Sequence, residues 1–177
     1  MKINPNPMKI NKNIRLRALE PEDLEFLYHI ENDPEIWAYS DTQIPFSKYV
    51  LENYIANAYK DIYEAKQIRF VIENTSQERV GLIDLFEFDP AHLRAGIGIV
   101  IVAEHRQKGY ALEAITTIAA YAKEHLRLHQ LYANIQEYNT ESIALFERAG
   151  FELSGRKKDW NYNNGQYTAE LLFQRIL

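Results

Sequence analysis

The residues with most chemical potential gather in the middle of the chain. The stretch AEHRQKGYALEA, residues 103–114, sets Arg106, Lys108 and Gly109 at the entry to a helical pattern. A helix N-terminus offers unpaired N–H groups and the positive end of the helix dipole, and a glycine there lets an anion approach the backbone. The loop can therefore cradle phosphate groups, or it can be a solvated basic turn; the residues alone leave both open. It is neither a Walker A loop nor a dinucleotide GxGxxG, both of which need further glycines. Just upstream, RVGLIDLFEFDP carries Asp84, Glu87 and Asp89 along one strand pattern. Carboxylates at such positions can bind a cation or exchange a proton. Strand alternation puts Asp84 on the face opposite Glu87 and Asp89 unless a bulge intervenes.

Other chemistries are excluded by what is missing. With no cysteine in 177 residues, a thiolate nucleophile, a thiolate metal site and a disulfide framework are all ruled out. Of five histidines, only His125 and His129 share a ligand-like spacing, and that pair straddles a helix end with no supporting carboxylate, so no metal is expected. A formal net charge of −5 argues against a nucleic-acid partner. No apolar run approaches the ~20 residues of a membrane span. The opening MKINPNPMKINKN is polar and lacks a secretory signal, which points to a cytoplasmic protein with a polar leader over 1–13. Hydrophobic content of 46% is enough for one packed core, expected over 14–177 as a single domain.

The elements that must position these residues follow from periodicity. IRLRAL alternates as a strand, and Pro21-Glu22-Asp23 opens a helix expected to end near Asp33-Pro34. A second helix is expected over roughly 47–63. IRFVIE and RVGLIDLFEF read as a hairpin around NTSQE, and LRAGIGIVIVA (93–103) as the next strand. Leu112, Ile115, Ala119, Ala122 and Leu126 recur at helical spacing over 110–126. LYANIQ is a short strand, Asn139-Thr140-Glu141 caps a helix reaching Ala149-Gly150, and two last strands flank the turn signal Asn163-Asn164-Gly165. The order β-α-α-β-β-β-α-β-α-β-β predicts an α/β (α+β) domain. Its central sheet is mixed, mostly antiparallel and of about seven strands, flanked by about four helices, with one βαβ crossover supplying a parallel pair.

Here the chain resembles the GCN5-related N-acetyltransferases. Arg106-Gln107-Lys108-Gly109-Tyr110-Ala111 matches that family's (Arg/Gln)-x-x-Gly-x-(Gly/Ala) signature, which binds the pyrophosphate of acetyl-CoA. The apolar strand before it matches the family's bulged fourth strand, implying that Ile99, Val100 and Ile101 pair with the pantetheine arm and offer an N–H to a developing oxyanion. NTESIALFERAGF resembles the segment Asn-x-x-(Ser/Ala)-x-x-Leu-(Tyr/Phe)-x-x-x-Gly-Phe, implying cofactor contacts at Asn139, Ser142, Phe146 and Arg148. Phe146 stands where many relatives carry a proton-donating tyrosine; Tyr138 and Tyr110 are the candidate donors in its place, though neither stands at the family position.

The resemblance also implies direct transfer of acetyl from acetyl-CoA to a primary amine, with no metal. Two branches are similar: bacterial spermidine/spermine N-acetyltransferases and those that modify N-termini of ribosomal proteins. The first implies a polyamine or diamine acceptor, with Glu87 recognising the amine and Asp84 as a candidate base. A second polyamine-binding carboxylate of that branch falls on Gly96 here, and an acidic loop pair is reduced to Asp41. Trp37, Tyr39 and Phe46 lie in the loop that lines the acceptor pocket in relatives. The alternatives are a protein N-terminus as acceptor, or a non-catalytic module that binds acyl-CoA. Relatives often dimerise, so a homo-oligomer is a further expectation.

Overall fold

The computed structural model describes residues 13–40, 42–163 and 165–177. The leader up to Lys12, Asp41 and Asn164 of the last turn signal lie outside them. Seven strands form one sheet in the order β1-β2-β3-β4-β5-β7-β6. They are β1 (Ile14–Arg17), β2 (Ile68–Asn74), β3 (Arg79–Asp89), β4 (Arg94–Ile101), β5 (Gln130–Gln136), β6 (Glu152–Asn163) and β7 (Gln166–Ile176). All neighbours are antiparallel except β4 and β5, the parallel pair of the expected crossover.

Among the described residues there are four helices of eight residues or more: α1 (Leu24–Glu31), α3 (Lys48–Ala56), α5 (Tyr110–Glu124) and α6 (Thr140–Arg148). Two single-turn helices, α2 (Pro34–Trp37) and α4 (Ile62–Ala65), add to them. Both arise from capping signals. The Asp33 carboxylate accepts from Glu35 N–H at 2.9 Å, so Asp33-Pro34 starts a new turn as well as ending the old one. The Asp61 carboxylate accepts from Tyr63 and Glu64 N–H at 2.8 and 3.0 Å, which breaks the helix expected over 47–63 in two.

The sheet buries both faces. On one, Ile83, Leu85, Ile97, Leu131, Ala133 and Phe173 pack under Ile115, Ile118 and Ala122 of α5 and Phe146 of α6. On the other, Val71 and Leu82 meet Leu27 and Ile30 of α1 and Leu51 and Ile55 of α3. Pleat alternation does the sorting, since odd and even positions of each strand go to opposite faces. Full burial of each Val, Leu, Ile or Phe among them stabilises by about 1.5–3 kcal/mol.

Candidate active site

The parallel pair β4–β5 is short, and the site starts from that fact. The two strands are in register only from Arg94 opposite Gln130 to Gly96 opposite Tyr132. Beyond that rung β4 continues along β3 to Ile101, while β5 continues along β7 to Gln136. The strands therefore diverge, and the edge of β4 after Gly96 has no strand beside it. Burial records the opening: β4 is buried from Ala95 to Ile97 and only half-buried from Gly98 to Ile101.

Which main-chain groups face the opening follows from one bond. Val102 N–H donates to Val80 C=O at 3.0 Å, so even-numbered positions of β4 turn their peptide groups to β3. Ile97, Ile99 and Ile101 then turn theirs to the open edge. On that edge the Ile101 carbonyl accepts from Arg106 Nε at 3.1 Å. Val100 is committed to β3, so of the three strand positions expected to contact a cofactor, Ile99 and Ile101 carry the available backbone.

The expected bulge is in the wrong strand. Register runs unbroken from Gly96 to Ile101 in β4, whereas three steps of β3 (Phe86 to Asp89) oppose two of β4 (Gly96 to Arg94). The extra residue is on β3, where Glu87 has φ +48°. What frees the β4 backbone is divergence from β5, not a bulge of its own.

At the far end of the open edge lies the basic loop. Gly109 caps α5 with φ +83°, and no side chain caps that terminus. A Cβ at Gly109 would meet no atom within 4 Å, so the backbone stands at open space. Gln107 is also left-handed, with φ +60°. Arg106, Gln107, Lys108 and Gly109 are exposed, Tyr110 and Ala111 half-buried. Lys108 Nζ lies 3.4 Å from His105 Nδ1, and the Tyr110 ring sits beside the His105 ring. Uncapped N–H groups at a helix start, a glycine with clear approach and two cations fit a pyrophosphate. The unpaired β4 edge fits an extended amide-bearing arm. The site is thus suited to CoA on its own geometry.

Across the opening, α6 begins at Asn139, whose Oδ1 accepts from Ser142 N–H at 3.1 Å. Asn139 therefore works first as a helix cap, and Arg148 at the other end of α6 is exposed. Phe146 is buried, edge-on to Phe151 with ring centroids 5.0 Å apart. Tyr138 donates its hydroxyl to the Ala38 carbonyl at 2.8 Å and lies 6.0 Å from the Tyr39 ring. That hydroxyl bridges to the loop after α2 and is already engaged as a donor. Trp37 is half-buried and donates Nε1–H to the Glu31 carbonyl at 2.6 Å.

On the α1 and α3 face, carboxylates gather around Arg69, a residue that the sequence reading did not single out. Arg69 Nε and Nη2 donate to Asp84 Oδ1 and Oδ2 at 2.5 and 2.9 Å, and Nη1 donates to Glu31. The guanidinium also lies 5.4 Å from the Tyr54 ring centre. Burial works to lower the Arg69 pKa, but the Asp84 carboxylate outweighs it and holds the group firmly charged. Asp84 is thereby locked in a bidentate ion pair, an arrangement that opposes its expected work as a base.

The β3 bulge corrects the alternation. Leu85 and Phe88 both pack in the core under α5 although three positions separate them, so Phe86 and Glu87 both leave by the opposite face. Glu87 thus joins the face of Asp84. Gly96 lies against Phe86, and a Cβ there would come 2.4 Å from the ring. A carboxylate at that position would collide with the Phe86 ring as it lies, which agrees with glycine standing where the resemblance implied a second acidic group.

Comparison with known proteins identifies the family. A family model for the acetyltransferase (GNAT) domain matches residues 13–152. The spermidine N(1)-acetyltransferase of Vibrio cholerae is 30% identical over 158 residues, covering 89% of this chain and 90% of that protein. That of Escherichia coli K12 is 30% identical over 156 residues, covering 88% and 81%. A crystal structure of the Vibrio cholerae spermidine N-acetyltransferase in complex with CoA and spermine superposes with a TM-score of 0.85 at 29% identity, covering 94% of this chain and 96% of that one. The open β4 edge, the glycine-led α5 terminus and these matches place the chain in the GNAT acetyltransferase family, as an N-acetyltransferase.

Proposed function

We propose that this single domain transfers acetyl from acetyl-CoA directly to a primary amine of a polyamine or diamine. The observation that carries the proposal is the cleft opened by the divergence of β4 from β5, with the uncapped start of α5 at one end and Asp84 and Glu87 on the flanking face. The relatives named for spermidine, and the bound CoA and spermine of one of them, support the choice of acceptor.

Acetyl-CoA would be held by the Arg106–Ala111 loop and the Ile99–Ile101 edge, and supplies the activated acyl group. The chain's own part is positioning and charge. Ile99 N–H, turned to the open edge, is placed to donate to an oxygen that gains negative charge. Arg69 fixes Asp84 and Glu31 in place, two carboxylates around one guanidinium, an excess of acidic groups that favours an ammonium in the cleft. Glu87 is the carboxylate left to hold the reacting amine and relieve it of a proton, since an ammonium has no lone pair. Phe146 gives the leaving sulfur no proton; an ordinary thiol pKa of about 8.5 makes an unassisted thiolate tolerable. With no cysteine to carry the acyl group, direct transfer is the simplest route. The absence of cysteine also suits a reducing cytoplasm. A dodecameric structure of the Vibrio cholerae enzyme makes self-association the expected state in solution.

The test is turnover on an acceptor panel. Spermidine, spermine and simple diamines should be acetylated, and peptides with a free N-terminus should not. Turnover on peptides alone would move the protein to the ribosomal-type branch. Tight acetyl-CoA binding with no turnover on any amine would make it a binding module.

A further inference from the structure

Tyr132 belongs to no motif, yet it sits on the last rung joining β4 to β5, opposite Gly96, where the cleft begins. Its neighbours Leu131 and Ala133 are in the core under α5, so its side chain leaves by the face of Asp84 and Phe86. There its hydroxyl donates to Glu87 Oε2, and its ring lies edge-on to Phe86 at 6.3 Å. Burial raises the Tyr132 pKa, and the Glu87 carboxylate raises it further, so the phenol remains a donor throughout the working pH range.

Glu87 is held in an unfavourable conformation. Its φ of +48° is one that side chains other than glycine, asparagine and aspartate rarely adopt. A residue kept there needs surroundings that over-determine it, and such strain concentrates where a side chain has to be aimed. Here the bulge turns Glu87 onto the acceptor face, and the bond from Tyr132 fixes one carboxylate oxygen while the exposed remainder faces solvent.

We infer that Tyr132 is a positioning residue for the acceptor: it holds Glu87 at the mouth of the β4–β5 cleft, where the second oxygen receives the amine. This rests on the amine acetyltransferase proposal above. It adds that recognition depends on a strained bulge and on a phenol in the neighbouring strand, with the two acting as one unit.

The experiment is a double-mutant cycle on the full chain, with spermidine varied at saturating acetyl-CoA. Tyr132→Phe keeps the ring against Phe86 and should raise the spermidine KM about tenfold, the value of one hydrogen bond to a charged group. The KM for acetyl-CoA should stay unchanged. Glu87→Gln should raise the spermidine KM at least as much, and the double variant should be no worse than Glu87→Gln alone. Glu87→Gly, which relieves the left-handed strain, should raise the thermal midpoint while weakening spermidine. Additive losses in the cycle, or equal losses for both substrates in Tyr132→Phe, would overturn the inference and leave Tyr132 a packing residue. Failure of the wild-type protein to acetylate any small amine would instead overturn the functional proposal beneath it.

Discussion

At Gly109, two demands meet in one residue. The chain must turn into α5 through φ +83°, which costs a residue with a Cβ roughly 1–2 kcal/mol. On the proposed function, the space above it must also stay clear for an anion. Because a Cβ there touches nothing of the protein, Gly109→Val should fold with only the backbone penalty. Its side chain would then occupy the approach to the α5 terminus. Calorimetry should show acetyl-CoA affinity falling by more than about tenfold, or 1.4 kcal/mol. Gly109→Asn, which tolerates the left-handed region, should restore stability but not full affinity. Retained affinity in Gly109→Val would remove the phosphate cradle from this loop. Arg69 makes the complementary case for a buried charge. Arg69→Met should destabilise by about 3–5 kcal/mol in urea unfolding, because Asp84 and Glu31 would face each other without their cation.

At the scale of elements, the first strand and first helix are pinned by a charge network rather than by packing alone. Arg17 donates to both oxygens of Asp23 at 2.6 and 2.8 Å and also to Glu73, while Arg79 reaches Asp23 at 3.3 Å. Asp23 also accepts from the Glu20 backbone at 2.8 Å, closing the capping box before α1. Burial is the largest single influence and pushes the pKa values of Asp23 and Glu73 upward, but the hydrogen bonds and charges of Arg17, Arg15 and Arg79, with the Glu20 N–H at Asp23, together outweigh it, and both end below their ordinary 3.8 and 4.5. A depressed carboxylate contributes stability that is fully present above its unfolded pKa and is lost as pH falls through its folded pKa. The urea midpoint should therefore hold steady from neutral pH down to about 5 and decline below about 4. In Asp23→Ala the acid decline should be shallower and neutral stability lower by about 3 kcal/mol. An unchanged acid limb in that variant would place the pH sensitivity elsewhere.

At the scale of the molecule, the cleft is a gap in an otherwise continuous sheet. β1 to β4 form one half and β5, β7 and β6 the other, joined along strand edges by three rungs at the base of the opening. A ligand laid along β4 supplies partners that the sheet itself withholds, so binding and folding stability are linked. Acetyl-CoA at about 100 times its Kd should add about 2.7 kcal/mol. In a chain of this size that raises the thermal midpoint by about 5–10 °C. Differential scanning calorimetry checks this, and the shift should shrink in Gly109→Val.

The sequence alone determined whatever is local or periodic. Spacing of Leu112, Ile115, Ala119 and Ala122 set α5, alternation set the strands, and the crossover from β4 to β5 followed from their order. The candidate phosphate cradle at Arg106 to Ala111 was legible because its residues are consecutive at one helix start. Tertiary structure decided what depends on how distant strands align. Whether Asp84 and Glu87 share a face turned on one extra residue in β3, whose presence shows only in the register against β4. Whether Asp84 is free turned on Arg69, fifteen positions earlier in sequence and directly paired across β2–β3. Tyr132 reads as any aromatic strand residue until β5 is laid beside β4 and its hydroxyl meets Glu87. Local patterns follow from propensity and capping within a few residues; the acceptor side depends on long-range register, which no short stretch of sequence encodes.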